Sequence, residues 1–340
     1  MEREAKFWEV LEGKKVRCNL CRRHCIILPG RRGVCMVREN RDGKLISLSY
    51  GNVVSIAIDP IEKKPLFNFK PGTEVLSYST MGCNFKCRYC QNWEISQALP
   101  EEVRYEEIPA EVLVEIALQY KTPGIAHTYT EPTIFYEYAF EVSKIAKEKG
   151  LFNVWVTNGY IEKEPLKEIR PYLDAANIDL KAFNEKFYKD LCGGIELDEV
   201  LDSIKYWHKL GIHIELTNLI IPGWNDSFEE IRQMVKWIIE NLGRDVPLHF
   251  TRFFPHYKMI ETPITPLETL LEAYNIAKEE GLYYVYIGNV WPNKYENTYC
   301  YNCGELLIER DGYYIKKINL EKKGNRVICP TCGKRQNIIL

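Results

Sequence analysis

Several features that direct a protein to a membrane or to nucleic acid are missing from this 340-residue sequence. It contains no run of about 18 or more apolar residues, so no membrane span is expected. The amino-terminal residues lack the apolar core of a signal peptide. The formal net charge is only −2, which favours neither nucleic acid nor an anionic bilayer as a partner. We therefore expect a cytoplasmic protein that binds neither.

A Gly-rich dinucleotide fingerprint, internal repeats and low-complexity segments are also missing. The first absence argues against a Rossmann domain. Hydrophobic residues make up 46% of the chain and charged residues 27%, as in a globular protein. The length suits one large domain with small additions, or two to three domains.

Cysteine, by contrast, is abundant and clustered. Of the 12 cysteines, four lie at 18–35, three at 83–90 and four at 300–332, and Cys192 stands alone. Because disulfides are rare in a reducing compartment, short cysteine spacings there indicate metal binding. The sequence therefore predicts three metal sites, with Cys192 as a helix-end residue that binds no metal.

The central set, Cys83, Cys87 and Cys90, has C-x3-C-x2-C spacing. Three thiolates can hold three irons of a cubane [4Fe–4S] cluster and leave the fourth iron open, whereas electron-transfer clusters normally have four protein thiolates. An open iron implies chemistry at the site. The alternative is a zinc site, for which His127 could supply the fourth ligand.

The carboxy-terminal set consists of two C-x2-C knuckles, each followed by glycine: Cys300, Cys303, Cys329 and Cys332. Four thiolates in this pattern predict a closed tetrahedral zinc ribbon, with a rubredoxin-type mononuclear iron as the alternative. Asp311-Gly312 lies between two strand-like segments and predicts a hairpin turn.

The amino-terminal set, Cys18, Cys21, Cys25 and Cys35, has less regular spacing. Four thiolates suit either a structural zinc ion or a second [4Fe–4S] cluster. His24 could replace one thiolate.

Strand and helix patterns alternate between about 74 and 288, which predicts an α/β fold with a mainly parallel sheet. We expect a partial (β/α) TIM-type barrel, because polar motifs follow the predicted strands, at the edge where barrel active sites lie. The predicted strands cover 75–79, 125–128, 153–157, 175–179, 213–221, 247–253 and 283–287. The predicted helices cover 110–120, 134–149, 200–210, 228–241 and 267–280.

Three units are predicted along the chain. Residues 1–73 form a Cys-rich metal-binding segment with a short helical start and a hairpin over 46–58. Residues 74–290 form the barrel, and residues 291–340 form the zinc ribbon.

The C-x3-C-x2-C run, with Tyr89 before its last cysteine, resembles the cluster motif of the radical S-adenosylmethionine (radical SAM) enzymes. In that superfamily the open iron takes the amino and carboxylate groups of S-adenosylmethionine, and Tyr89 would lie near the adenine. Thr130-Glu131-Pro132 stands where many members have Gly-Gly-Glu-Pro and would meet the amino group. Thr157 and Asn158 would line the ribose, and Lys181, beside Asp179, would pair with the carboxylate.

The segments 156–159, 178–181 and 213–226 resemble motifs of glycyl-radical-enzyme activases such as the pyruvate formate-lyase-activating enzyme. Val156 and Thr217 depart from that pattern, at positions where the activases carry Asp and Arg. By position, Arg252 and His256 are candidates to face the substrate.

The three cysteine sets and the motifs between them, over residues 14–340, look most like the radical SAM component of the AmmeMemoRadiSam system. The resemblance implies an enzyme that uses a [4Fe–4S] cluster to cleave S-adenosylmethionine to a 5′-deoxyadenosyl radical, which takes hydrogen from an unknown substrate. It implies a flavodoxin- or ferredoxin-type electron donor and AMMECR-type and Memo-type partners. The alternatives are a glycyl-radical-enzyme activase and a non-catalytic metal-binding docking scaffold.

Overall fold

The computed structural model describes residues 1–292 and 294–340. The amino-terminal strands are β1 (Arg3–Glu4), β2 (Trp8–Val10), β3 (Val16–Cys18), β4 (Ile26–Ile27), β5 (Arg38–Arg41) and β6 (Lys44–Ser47). The central strands are β7 (Asn52–Pro60), β8 (Glu74–Thr80), β9 (Glu106–Glu107), β10 (Gly124–His127), β11 (Phe152–Thr157), β12 (Ala175–Asp179), β13 (His213–Ile220), β14 (Leu248–Arg252) and β15 (Val285–Gly288). The carboxy-terminal strands are β16 (Thr298–Tyr299), β17 (Leu306–Asp311), β18 (Tyr314–Ile318), β19 (Glu321–Lys323), β20 (Arg326–Ile328) and β21 (Arg335–Gln336).

The α-helices accompany the central strands. They are α1 (Trp93–Ser96), α2 (Ala110–Gln119), α3 (Tyr136–Glu148), α4 (Lys163–Ile169), α5 (Glu185–Leu191), α6 (Leu197–Lys209), α7 (Phe228–Asn241) and α8 (Leu267–Glu279). In the part of the chain that the structure describes, no helix is long and apolar enough to cross a bilayer.

A nine-stranded sheet forms the centre of the fold, in the order β15-β14-β13-β12-β11-β10-β8-β7-β9. From β8 to β15, apart from the short β9, each strand pairs in parallel with the next along the chain. This confirms the predicted α/β class with a mostly parallel sheet. Because the order never reverses, the sheet is not doubly wound, and all parallel strands point their carboxyl ends to one edge.

The predicted barrel elements match the structure to within a few residues. The seven strands correspond to β8 and β10–β15, and the five helices to α2, α3, α6, α7 and α8. Sequence periodicity did not reveal α4 and α5, which have only seven residues each. Two turns of helix carry too few apolar positions for a periodic signal.

Two predictions for the amino-terminal segment are wrong. The hairpin over 46–58 does not form, because β6 pairs with β1 and β5, whereas β7 pairs with β8 and β9. Alternation of apolar residues marks strands but does not say which strands pair. The helical start is also absent: the chain begins with β1 and β2, and its only helical turn there is the 3₁₀ segment Glu12–Lys14.

The carboxy-terminal strands form two small antiparallel sheets, and the predicted Asp311-Gly312 turn joins β17 to β18. Arg310 attaches this region to the centre of the molecule. Its buried guanidinium donates to the carbonyl oxygen of Phe67 at 2.8 Å. Tyr286 on β15 shares a hydroxyl hydrogen bond of 2.9 Å with Thr298.

Candidate active site at the carboxyl ends of the parallel strands

A cavity of about 530 Å³ lies at the carboxyl ends of the parallel strands. Its volume is in the range of sites for small molecules and cofactors. Cys83, Cys87 and Cys90 contribute to its wall. So do all seven residues that the sequence assigned to the cofactor: Tyr89, Thr130, Glu131, Thr157, Asn158, Asp179 and Lys181.

The loop that carries the three cysteines follows β8 and is held by the end of α5. The N–H of Lys86 donates to the carbonyl oxygen of Cys192 at 2.9 Å, and the N–H of Arg88 donates to that of Leu191 at 2.9 Å. Cys192 is buried just after α5, with its Sγ 3.5 Å from the hydroxyl of Tyr89. The backbone of this loop is therefore fixed before any group binds.

Gly82 allows the loop to pass close to the amino-terminal segment. Its φ is +94°, and a Cβ there would lie 2.8 Å from the carbonyl oxygen of Cys35. Any side chain would be strained in this conformation and would also collide with that backbone. The cysteine loop and the amino-terminal cysteine segment are thus in direct contact.

The donor set fits a polynuclear iron–sulfur cluster better than a single ion. In the part of the chain that the structure describes, the sulfur atoms of Cys83, Cys87 and Cys90 do not all lie within 4.8 Å of one another. A tetrahedral zinc ion with bonds of about 2.3 Å would hold its thiolates roughly 3.8 Å apart. Thiolates on separate corners of a cubane lie further apart.

His127 does not complete a zinc site, contrary to that alternative. Its ring is fully buried, and Nδ1 lies 2.6 Å from the hydroxyl of Tyr78. Nε2 lies 3.1 Å from the hydroxyl of Ser143 and 3.4 Å from the amide oxygen of Asn153. Burial lowers the pKa of His127 to about 3, so this is a neutral core histidine.

Glu131 joins two of the strand-end loops. Its carboxylate accepts hydrogen bonds from the N–H and hydroxyl of Thr133, from the hydroxyl of Thr157 at 2.7 Å and from the N–H of Asn158 at 2.8 Å. Oε1 accepts three of these bonds and Oε2 accepts only the one from Asn158, so Oε2 can accept one more. Burial raises the pKa of Glu131, which the hydrogen bonds oppose. The side chain therefore holds Thr157 and Asn158 in place.

Asn158 extends this network to the cysteine loop. Its amide nitrogen donates to the amide oxygen of Asn84 at 2.8 Å and lies 3.9 Å from the Sγ of Cys83. The amide oxygen of Asn158 accepts the N–H of Tyr160 at 3.0 Å. A continuous set of hydrogen bonds thus runs from Glu131 to the first cysteine of the cluster motif.

Tyr129, the residue before Thr130, has a φ of +62°. This left-handed conformation costs a non-glycine residue about 1–3 kcal/mol. The Tyr129 hydroxyl donates to Asp59, and the Lys64 ammonium lies 4.9 Å from the ring centre. These contacts offset the strain, so the loop keeps the conformation that glycine would adopt without cost.

Lys181 forms an ion pair with Asp179, with 2.8 Å between Nζ and Oδ2. Its ammonium also lies 5.9 Å from the centre of the Tyr89 ring. Burial by itself would lower the pKa of Lys181, but the negative charge of Asp179 and of the nearby thiols outweighs it and raises the pKa. Lys181 is therefore a permanent cation on the cavity wall, ready to pair with an anionic group.

The cavity wall also contains charged residues that the sequence did not single out: Glu62, Lys64 and Glu296. One carboxylate oxygen of Glu62 and one of Glu296 are buried without a hydrogen-bond partner. Burial raises the pKa of Glu296 to about 7. No local motif could have identified these residues, because they lie about 230 positions apart in the chain.

His249 also lines the cavity and is held by a buried carboxylate. Its Nε2 lies 2.7 Å from Glu215, which in addition accepts the N–H groups of Phe67 and Asn68. Burial acts to raise the pKa of Glu215, but the hydrogen bonds from His213 and His249 outweigh it and lower the pKa to about 2. Glu215 therefore carries a full negative charge that orients His249.

The two candidate substrate residues, Arg252 and His256, do not line the cavity. Arg252 donates from Nε to the carbonyl oxygen of Thr265 at 2.8 Å. The carbonyl oxygen of His256 accepts the N–H of Met259. A substrate role for either side chain stays a prediction.

The carboxy-terminal cysteines converge on one point. The Sγ atoms of Cys300 and Cys332 are 3.6 Å apart, those of Cys303 and Cys329 are 3.7 Å apart, and all four lie within 4.8 Å of one another. These distances match the roughly 3.8 Å between thiolates on a tetrahedral ion. This cluster can bind a metal ion.

The amino-terminal cysteines line a second, smaller cavity together with Arg38 and Asn84. His24 does not join them, because its ring nitrogens face Glu162 at 3.0 Å and Asn19 at 3.3 Å. The idea that His24 replaces a thiolate therefore has no support in this geometry.

Comparisons with known proteins agree with this site. The profile of the Radical SAM superfamily matches residues 77–238. An uncharacterized protein of Methanocaldococcus jannaschii is 53% identical over 99% of this chain and 100% of its own length. The pyruvate formate-lyase-activating enzyme of Clostridium pasteurianum is 26% identical over 47% of this chain and 67% of its own.

Among solved structures, Streptococcus suis SuiB bound to its precursor peptide SuiA has a TM-score of 0.50 and 19% identity. The match covers 68% of this chain and 52% of that one, and it indicates a shared fold only. The profile match covers the cysteine loop and the parallel strands from β10 to β13, and it establishes that the chain belongs to the radical SAM superfamily of enzymes.

Proposed function

We propose that Cys83, Cys87 and Cys90 hold a [4Fe–4S] cluster whose open iron binds S-adenosylmethionine. The observation that carries this proposal is the common cavity, which the three cysteines share with all seven residues of the expected cofactor set. We also infer that the sequential parallel sheet curves as a partial (β/α) barrel around this cavity.

When bound, the cluster supplies one electron that splits S-adenosylmethionine into methionine and a 5′-deoxyadenosyl radical, which takes a hydrogen atom from the substrate. The protein residues position the reactants. Lys181 would pair with the carboxylate of S-adenosylmethionine in a charge-assisted hydrogen bond. Tyr89 would offer a ring face near the adenine. Glu131 would hold Thr157 and Asn158, and its Oε2, which accepts only the N–H of Asn158, would take the amino group of S-adenosylmethionine.

The part of the cavity wall that contains Glu62 and Glu296 is the proposed substrate site. Buried carboxylate oxygens without partners favour a ligand that brings N–H donors or a positive charge, because an unpaired buried acceptor is costly. Glu62 and Glu296 would receive such a group. Arg252 and His256 stay candidates for contacts outside this wall.

We further propose that the protein is the radical SAM component of an AmmeMemoRadiSam system. The support is the combination of three cysteine sets with the motifs of residues 128–132 and 286–289. A flavodoxin- or ferredoxin-type protein would deliver the electron, and AMMECR-type and Memo-type proteins would be partners. The carboxy-terminal cysteines would form a zinc ribbon that borders the cavity through Tyr313.

A glycyl-radical-enzyme activase is the second candidate, supported by the partial similarity to the Clostridium pasteurianum activase. Val156 and Thr217, which stand in place of the activase Asp and Arg, reduce that support. An organic radical on a partner protein, detected by electron paramagnetic resonance, would favour the activase. A non-catalytic scaffold would bind no S-adenosylmethionine at all.

The deciding experiment is anaerobic reconstitution with iron and sulfide, followed by dithionite and S-adenosylmethionine. We expect release of 5′-deoxyadenosine from the wild-type protein and none from Cys87→Ala. Cys303→Ala, in the carboxy-terminal cluster, is the matched control and should retain release. If the wild-type protein binds the cluster but releases no more product than Cys87→Ala, the proposal is wrong.

A further inference from the structure

The amino-terminal cysteines are arranged differently from the carboxy-terminal cluster. Cys18, Cys21, Cys25 and Cys35 all line one small cavity. Among the described residues, however, no three of these sulfur atoms lie within 4.8 Å of one another. The carboxy-terminal thiols in the same structure approach to 3.6 and 3.7 Å. The amino-terminal set is therefore too widely spaced for one tetrahedral ion.

A second observation comes from Arg38, which lines the same cavity with only 2% of its surface exposed. Its Nη2 donates to both carboxylate oxygens of Glu137, at 2.8 and 2.7 Å. Its Nε and Nη1 are buried without any partner. A buried guanidinium normally has its donors paired, so these two N–H groups indicate a missing acceptor in the cavity.

We propose that Cys18, Cys21, Cys25 and Cys35 ligate a second [4Fe–4S] cluster, with Arg38 donating to its sulfur atoms. Four splayed thiolates suit the four corners of a cubane. Such a cluster with four thiolates is anionic, and the guanidinium supplies both positive charge and the two free donors. Arg23 adds a further cation to the cavity wall.

The second cluster would lie next to the first. Asn84, which follows the first ligand of the central set, lines the amino-terminal cavity and also accepts the hydrogen bond from Asn158. The carbonyl oxygen of Cys35 is the atom that Gly82 must accommodate on the same loop. The two sites therefore share a wall, whereas the carboxy-terminal cluster contributes none of its four cysteines to either cavity.

The test is metal and spectroscopic analysis of the full-length protein, reconstituted without air. We expect about eight irons per chain in the wild type, and about four in both Cys18→Ser/Cys35→Ser and Cys83→Ser/Cys87→Ser. The zinc content per chain should be the same in the wild type and in both double variants. A wild-type protein with about four irons and a second zinc, or with metal-free amino-terminal thiols, would overturn the proposal.

Electron paramagnetic resonance separates this inference from the proposed activity and from simple misfolding. After reduction, Cys83→Ser/Cys87→Ser should keep a cluster signal that S-adenosylmethionine does not alter. The absence of that signal in a folded variant would contradict the proposal. Should Cys18→Ser/Cys35→Ser fail to fold, the partly exposed Cys25→Ser tests the same ligand set.

Arg38→Met tests whether Arg38 contacts the second cluster or serves only the fold. The variant loses a cation and two hydrogen-bond donors, which should lower the reduction potential of the amino-terminal cluster. Hydrogen bonds to cluster sulfur and local charge set that potential. The cluster is identified by the signal that S-adenosylmethionine does not alter. The other cluster should keep its potential. An unchanged potential in a variant that retains both clusters would show that Arg38 does not contact the second one.

Discussion

The N–H of Asn158 donates a hydrogen bond of 2.8 Å to the buried carboxylate of Glu131. Together with the bond from Asn158 to Asn84, it connects the loop after β10 to the cysteine loop after β8. Residues that lie far apart in the sequence thus form one rigid wall of the cavity.

Glu131→Gln should weaken this wall. A carboxamide has only one accepting oxygen, so some of the four hydrogen bonds to Glu131 must be lost. We expect a loss of about 1–3 kcal/mol in the free energy of unfolding and at least a tenfold fall in the rate of S-adenosylmethionine cleavage. Chemical denaturation and 5′-deoxyadenosine release measure the two effects. Glu148→Gln, at an exposed position on α3, is the control and should change neither.

Lys181→Met should reduce the affinity for S-adenosylmethionine by about 10- to 100-fold, because charge-assisted hydrogen bonds to a buried cation are worth about 1.5–3 kcal/mol. Equilibrium binding to the reconstituted protein measures the effect. Lys186→Met removes an exposed lysine that pairs with Asp190 and is the matched control. Equal affinities of the two variants would refute the role assigned to Lys181.

Glu296 should make the stability of the protein depend on pH. Burial raises its pKa from 4.5 to about 7. A group whose pKa is higher in the folded state binds protons on folding, so its contribution is favourable below pH 4.5 and is lost as the pH rises through 7. Glu296→Gln should therefore gain about 1–3 kcal/mol relative to the wild type at pH 8.5, but little at pH 5. Denaturation at both pH values tests this, and a pH-independent difference between the two proteins would contradict it.

Loss of the proposed carboxy-terminal metal site should affect stability more than chemistry. Cys329 is fully buried, Gln336 donates to Cys300, and the hydroxyl of Tyr284, just before β15, donates to Gln336. We expect Cys329→Ser to lose about one zinc per chain, to keep its iron and to unfold at a lower temperature. Zinc and iron analysis with thermal unfolding would check this. Loss of iron instead would mean that this set belongs to a cluster.

The sequence alone determined which segments form strands and helices and which residues point to cluster chemistry. Cysteine spacing is local, so Cys83, Cys87 and Cys90 could be recognised as a set without any fold. The strands β8 and β10 to β15 were also predictable, because buried parallel strands and amphipathic helices have distinct periodicities. The strand-end motifs around Glu131, Asn158 and Lys181 followed from the same pattern, since parallel strands end at one edge.

Only the tertiary structure decided how distant segments meet. It paired β7 with β8 in place of the expected hairpin, and it placed His127 in the core, where Tyr78 and Ser143 are its partners. It brought Glu62 and Glu296 to the wall of the same cavity and separated the sulfur atoms of the amino-terminal cysteines. Such contacts depend on the packing of whole elements, which no local spacing of residues can encode.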